Sequence, residues 1–327
     1  MKRSANESQR DGFTLVELLV VIAIIGILTA ILVPTLAVAI RRTREASIRF
    51  ELKQIEMAME EYKVQHGSYP PDFTIKTWPG QTAAEFTDEQ DRMKARVANH
   101  LKQISNKNEI DIDQFFTDID DPDNAGYPLI TPDEALVFWL ALTRKNAVFP
   151  LQISRPGAAR NLAYPSDDNY NSYFEFDIER LVDFDGDNIP SYVPRYGPKV
   201  PFVYFDSRTY DRARLDPQIP HPTTAANRLI PEGKGCARPY GNSTSVAWFE
   251  PEKFQIICAG YDGDYGNGRT GQLPVASPPQ VTTDSDYANY VASPGQIKGY
   301  PDGSNFLLGD RDNFASFADS RLDKELD

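Results

Sequence analysis

Apolar positions crowd the start of this chain and thin out beyond it. From Leu18 to Ile40 run 23 residues without a formal charge, nearly all of them apolar. A span of about 20 such residues crosses a bilayer. No second run of that kind occurs in the sequence. The pattern predicts one membrane-spanning helix over about 18–40 and excludes a multi-span carrier. A cleaved secretory signal has an apolar core of about 7–15 residues closed by a small-x-small site. This run is longer, and no Ala-x-Ala ends it.

The helical pattern continues past the apolar run. No breaker stands between Arg41 and Gln65. Ile48, Leu52, Ile55, Met59 and Tyr62 fall at alternating spacings of four and three, which makes one apolar stripe. Charged Arg49, Glu51, Lys53, Glu56, Glu60 and Glu61 occupy the other faces. Gly67 and Pro70 then supply the stop. The reading is one helix over 13–66, about 80 Å long at 1.5 Å per residue. Its outer half should lay the stripe on a globular domain. A coiled coil fits less well, because the stripe lasts only about two heptads.

Beyond Pro71 two helical patches stand out. Thr87-Asp88-Glu89-Gln90 has the form of a capping box, and Met93, Val97, Leu101 and Ile104 form a stripe behind it. Thr131-Pro132-Asp133-Glu134 opens a second, with Leu136, Trp139, Leu140 and Leu142 following. Both are expected as inserted decorations. From Tyr173 onward the chain turns aromatic and β-branched. Tyr173–Ile178, Val200–Phe205 and Lys253–Ala259 read as strands, with Pro and Gly marking many turns between them.

Composition narrows the function. The chain has 327 residues and a net charge of −13, which argues against gripping nucleic acid by its phosphates. No Gly-x-Ser-x-Gly elbow, P-loop, His-x-x-x-His or Cys-x-x-Cys is present. His66, His100 and His221 are scattered. An enzyme would have to work through Asp residues in loops, and no catalytic residue is assigned.

Glu17 is a carboxylate at the edge of the apolar run, where an ionisable group is expensive and so a functional candidate. An interfacial Glu at the mouth of a plain anchor is the simpler alternative. Its context decides between them. Gly12-Phe13-Thr14-Leu15-Val16-Glu17, followed by an apolar helix containing Pro34, closely resembles the signal of type IV prepilins and type II secretion pseudopilins. The resemblance implies cleavage after Gly12 by a membrane-embedded prepilin peptidase on the cytoplasmic face, and N-methylation of Phe13 by the same enzyme. It implies that Glu17 pairs with the amino terminus of a neighbouring subunit. A buried carboxylate is tolerable only when paired, and cleavage would create an ammonium near it. It also implies that the helix loosens around Pro34 on leaving the membrane.

The segment Tyr62-Lys63-Val64-Gln65-His66-Gly67-Ser68-Tyr69-Pro70 resembles the end of this helix in major pseudopilins. Lys199–Phe205, Gly260–Gly266 and Asp310–Phe314 loosely resemble later motifs of the same branch. The implied fold is α+β and pilin-like. A leader over 1–12 precedes the long N-terminal helix of 13–66. A helical insertion over 67–170 and a β-rich domain with an antiparallel sheet over 171–327 follow. The implied partners are the peptidase, other pilin or pseudopilin subunits, an inner-membrane assembly platform and secreted cargo. The implied place is the inner membrane, single-pass, with the C-terminal domain periplasmic or extracellular, and then a pilus or pseudopilus. The expected role is a pseudopilus subunit for protein export. A minor pilin, or a decorated subunit that binds ligand or cargo, is the alternative.

Two further expectations concern ions and thiols. Asp183, Asp185 and Asp187 alternate around Gly186, a spacing that suits calcium, although solvated turn residues explain it equally. The resemblance adds Asp262, Asp310 and Asp312 as candidate calcium ligands. Cys236 and Cys258 both lie in the exported region. They are compatible with one disulfide, and a buried thiol at Cys258 is the alternative.

Overall fold

A computed structural model describes residues 15–74, 82–104, 115–116, 130–142, 172–184, 189–210, 237, 239–242, 247–261, 263, 265, 298–299, 313–319 and 321–322. The chain divides into two compact units, Met1–Ser47 and Ile48–Asp327. One helix, α1, runs Leu15–His66 for 52 residues and contains Pro34. Two more follow, α2 over Ala83–Ile104 and α3 over Ala135–Leu142. The fold is α+β and pilin-like, a long apolar N-terminal helix followed by shorter helices and small sheets.

The strands are short. β1 (Leu181–Val182) pairs with β2 (Ser191–Tyr192) as an antiparallel ribbon. β3 (Val203–Asp206), β6 (Phe254–Cys258) and β8 (Phe314–Ala315) form an antiparallel sheet in the order β3-β6-β8. The register sets Val203 against Ile257, and Cys258 against Phe314. β4 (Tyr240–Asn242) lies between antiparallel β5 (Ala247–Trp248) and parallel β7 (Lys298–Gly299).

The outer part of α1 forms as its pattern dictates. Ile48, Leu52, Ile55, Met59 and Tyr62 are all buried, at 4% exposure or less. The helix stops at Gly67, which adopts φ +84° and donates its N–H to the Lys63 carbonyl at 2.7 Å. That left-handed cap is strained for any residue with a Cβ.

The two insertion helices share the core of α1 rather than sitting outside it. Met93, Val97 and Leu101 of α2 are fully buried, as are Phe138 and Trp139 of α3. Trp139 stacks on Phe73 at 5.6 Å and meets Tyr62 and His100 edge-on. α2 starts earlier than expected. Its capping box is Thr82-x-x-Glu85: the Thr82 N–H donates to the Glu85 carboxylate at 2.9 Å, and the Glu85 N–H donates back to the Thr82 hydroxyl at 3.3 Å. Thr87 therefore lies inside the helix. The second cap is where the sequence puts it, with the Thr131 N–H donating to Glu134 at 2.7 Å.

Tyr173–Ile178 does not form a strand. Tyr173 and Phe176 are buried, but the backbone N–H of Tyr173 goes to Leu140 at the end of α3. Asp177 then caps a 3-10 turn over Ile178–Arg180. Aromatic alternation here serves packing without a partner strand. The strands expected near Val200–Phe205 and Lys253–Ala259 are present as β3 and β6.

The link after α1 is a strap, Tyr69–Thr74. Pro70 and Pro71 have no N–H to offer, and the strap carbonyls are taken up by side chains from four places. The Arg208 guanidinium donates to Tyr69 O at 2.8 Å and the Tyr204 hydroxyl to Pro70 O at 2.7 Å. The Trp139 indole donates to Pro71 O at 2.8 Å and Arg96 to Thr74 O at 2.7 Å. Asp72, wholly buried, accepts from the N–H groups of Thr74 and Asp206 at 3.1 Å each and from the Thr209 hydroxyl. Phe73 is held at φ +57°, an uncommon angle for a bulky residue, by rings on both sides.

Candidate functional site

The inner unit consists of the first part of α1. Leu15, Ile22, Leu28, Leu32 and Leu36 are each at least half exposed, and every other large apolar side chain up to Ile40 is exposed as well. The apolar window has a mean hydropathy of 3.0 and none of it is buried within the chain. A surface of this kind is stable only against lipid or against other apolar helices.

The polar atoms on this helix are turned inward on its own backbone. Thr29 donates to Ile25 O at 2.7 Å, and Thr35 donates to Leu32 O at 2.9 Å and Ile31 O at 3.1 Å. Thr43 donates to Ala39 O at 3.0 Å. The hydroxyls thus add no unsatisfied group to an apolar surrounding. Pro34 brings no N–H and withdraws one rung from the ladder just where Thr35 back-bonds. Glu17 lies in the first turn, exposed, where the helix dipole favours a carboxylate. Arg41 and Glu45 close the apolar stretch with an i,i+4 ion pair at 3.3 Å.

In the outer unit, polar side chains bind α1 to its domain. Arg180 pairs with Glu51 through both terminal nitrogens, one at 2.7 Å, and Tyr192 donates its hydroxyl to the same carboxylate at 2.7 Å. Near the helix end, His100 bridges Tyr62 at 2.8 Å and Ser68 at 3.2 Å. Tyr173 meets His66 at 2.7 Å. Burial foremost holds both imidazoles down, His66 to about 4 and His100 to about 3. Positive charge on Arg208 adds to the effect at His100. Burial also pushes the Asp206 carboxyl up, opposed by Arg208 and reinforced by Asp72.

Of the predicted site residues, Glu17 and Pro34 are placed on one apolar helix. Gly12 and Phe13 lie outside the described residues, as do Asp185, Asp187, Asp262, Asp310, Asp312 and Cys236. Asp183 follows β1, and Cys258 is buried in β6. Among the described residues no group of three or more His, Cys, Asp or Glu is arranged to hold a metal ion. The buried carboxylates Asp72 and Asp206 and the Glu51–Arg180 pair escaped the sequence reading. Asp72 meets Asp206 and Thr209, and Glu51 meets Arg180 and Tyr192, across more than 100 residues of sequence.

The exposed, charge-poor helix with one carboxylate in its first turn is long and apolar enough to cross a membrane. Comparison with known proteins finds similarity over this N-terminal region. The prokaryotic N-terminal methylation motif matches residues 8–33. The chain is 43% identical over 58 residues to the type IV wide pilus major component PilA4 of Thermus thermophilus, covering 18% of this chain and 44% of that protein. It is 36% identical over 62 residues to the type II secretion system core protein G of Pseudomonas aeruginosa, covering 19% of this chain and 44% of that protein. The chain thus spans less than half the length of each curated relative. No solved structure matches significantly. Over its N-terminal region the chain is similar to type IV pilins and type II secretion pseudopilins.

Proposed function

We propose that this protein is a structural subunit, made as a precursor, cut after Gly12 and methylated on Phe13 by a prepilin peptidase. It then assembles through α1 into a type II secretion pseudopilus for protein export. One observation carries the reading: the methylation motif over residues 8–33 runs into an uncovered apolar helix that reaches from Leu15 to Ile40. Before assembly that helix sits once across the inner membrane, with the C-terminal domain periplasmic or extracellular. After assembly other subunits replace the lipid, and Glu17 pairs with the Phe13 ammonium of a neighbour. The protein has no catalytic task, and an assembly platform drives its polymerisation. Calcium binding in the acidic loops belongs to the same reading, and melting with and without added calcium tests it.

The Tyr62–Pro70 pattern favours the secretion branch. Similarity to a wide-pilus component favours a second reading, a type IV pilus subunit. The chain's 327 residues suit a minor or decorated subunit that binds ligand or cargo. Mass spectrometry of the mature protein tests the common part. N-methylated Phe13 is the expected terminus, and Gly12→Ala should leave the precursor uncut. A mature chain that keeps Met1, or normal cutting of Gly12→Ala, overturns it.

A further inference from the structure

Where the apolar stretch of α1 ends, the helix turns basic at once. Leu18–Ile40 carries no formal charge, and Arg41, Arg42 and Arg44 follow directly. All three are exposed, and they lie within the first compact unit, Met1–Ser47. From Arg41 to Arg44 the helix axis rises by about 4.5 Å, while at about 100° per residue the three cover roughly 160° of its circumference. They therefore form a band across the helix rather than a stripe along it. A partner helix calls for a stripe. A band suits a flat anionic layer lying across the axis.

Its surroundings fit that use. Between Leu18 and Phe50, Glu45 is the single acidic residue against four arginines. Arg41 is oriented by its ion pair with Glu45 at 3.3 Å and keeps 58% side-chain exposure. Thr43 turns its hydroxyl back to the Ala39 carbonyl at 3.0 Å. Ile40, just before the band, is exposed, and the chain buries none of the apolar window behind it. A span of about 20 residues crosses the hydrocarbon, so a helix that crosses over Leu18–Ile40 brings the band to the headgroup level. The long stems of arginine let the guanidinium reach outward while its methylenes stay on apolar ground. A guanidinium fits a phosphate through two parallel hydrogen bonds.

Charge on the two flanks of the span adds an independent argument. Lys2, Arg3 and Arg10 precede it, and Arg41, Arg42 and Arg44 follow it. Basic residues on the exported side weaken the asymmetry that orients a span, a cost that a binding role offsets. The proposed cut after Gly12 removes Lys2, Arg3 and Arg10, and no Lys or Arg then remains before the span. In the cut chain the basic residues beside the span all lie behind it.

We infer that Arg41, Arg42 and Arg44 form a docking band for the phosphates of anionic phospholipids in the periplasmic leaflet of the inner membrane. The inference rests on the reading of the protein as a cut, single-pass subunit with an exported domain. It adds that cutting shifts the electrostatic hold on lipid from the cytoplasmic face to the exported one. The waiting subunit is then held on the side towards which it leaves.

The test places the processed full chain in nanodiscs of equal parts phosphatidylcholine and phosphatidylglycerol. Native mass spectrometry identifies the lipids that stay bound as the disc is stripped away. The expected result is phosphatidylglycerol enriched at least about threefold over phosphatidylcholine. Arg41→Gln combined with Arg42→Gln and Arg44→Gln should abolish the enrichment at an unchanged melting temperature. Arg41→Lys with Arg42→Lys and Arg44→Lys should retain it, because the charge is kept. Lys53→Gln, about 18 Å beyond Arg41 along the axis, should retain it as well. Added inorganic phosphate should leave the bound lipid in place. Absent enrichment in the wild type, or enrichment that survives the triple Gln variant, overturns the band and leaves the reading of the subunit intact. Displacement by inorganic phosphate overturns lipid as the ligand, and a lowered melting temperature in the triple Gln variant counts against the band. Protease protection and terminal mass in cells check the underlying reading. A chain left uncut, or one whose C-terminal domain stays in the cytoplasm, overturns that reading and the band with it.

Discussion

Arg180 grips Glu51 end-on, each guanidinium terminus facing one carboxylate oxygen, and its Nε and one terminus also reach the Val193 carbonyl at 2.9 and 2.6 Å. Both side chains keep only 13% of their exposure. The Arg180 guanidinium also lies 4.3 Å from the centre of the Tyr192 ring. One carboxylate from α1 therefore organises an arginine and a tyrosine from the β1–β2 region.

Removing one partner of a mostly buried pair leaves the other charge uncompensated. Glu51→Ala and Arg180→Ala should each lower stability by about 3 kcal/mol. Glu51→Leu combined with Arg180→Met should lose clearly less than the two single losses together. Denaturant melts of the detergent-solubilised chain measure this. Strictly additive losses would show that the two residues act independently.

Gly67→Ala should destabilise by about 1–2 kcal/mol. The backbone there has φ +84°, and a Cβ would lie 2.8 Å from Gln103 Nε2, which donates to His66 O at 2.9 Å. The variant must shift the Gln103 amide as well as bear the strained cap. An unchanged melt would mean that the helix end relaxes into another cap.

Stability should fall on acidification through the histidines. Both imidazoles have folded pKa values below the ordinary 6.5, so their contribution is intact above about pH 6.5. It is lost as pH falls towards 4, because the unfolded chain takes up protons that the folded chain refuses. Asp206, whose carboxyl is shifted upward by burial, acts in the opposite sense over part of that range. The comparison with His100→Gln isolates the imidazole. The gap in melting temperature between wild type and variant should narrow from pH 7 to pH 4. A constant gap would refute the linkage.

Glu17→Ala should leave membrane insertion and cutting intact yet reduce fibre yield by about tenfold or more. Removing one partner of a buried ion pair leaves the other charge uncompensated, at a cost of about 3–5 kcal/mol. Quantitative blotting of membranes and of sheared fibres separates the two effects. Undiminished fibres would remove the pairing role.

Much of α1 was legible because its periodicity is strong: five apolar positions at spacings of four and three, then Gly67. β3 and β6 were legible as β-branched and aromatic runs bounded by turns. The cap of α2 was misplaced because two Thr-led sequences five residues apart both suit a helix start, and only tertiary packing selects Thr82 over Thr87. Tyr173–Ile178 misled for a related reason. Alternating aromatic rings signal burial on two sides, and burial needs no strand partner when α3 and the 3-10 turn supply the contacts. The exposed apolar helix was legible because its signal, an unbroken apolar run that contains Pro34, is local in the sequence. The Asp72 cluster was not, since Asp206 and Thr209 reach it only after the chain has folded back.

The strap behind α1 also has a mechanical consequence. Load on the outer part of α1 passes through its buried stripe and the Glu51–Arg180 pair, and also through the strap Tyr69–Thr74. There the carbonyls of Tyr69, Pro70, Pro71 and Thr74 are held by Arg208, Tyr204, Trp139 and Arg96, drawn from separate elements. Bonds arranged side by side share a load, whereas bonds in series open one at a time. The strap is thus tied to four separate elements at four carbonyls, and two prolines restrict its backbone.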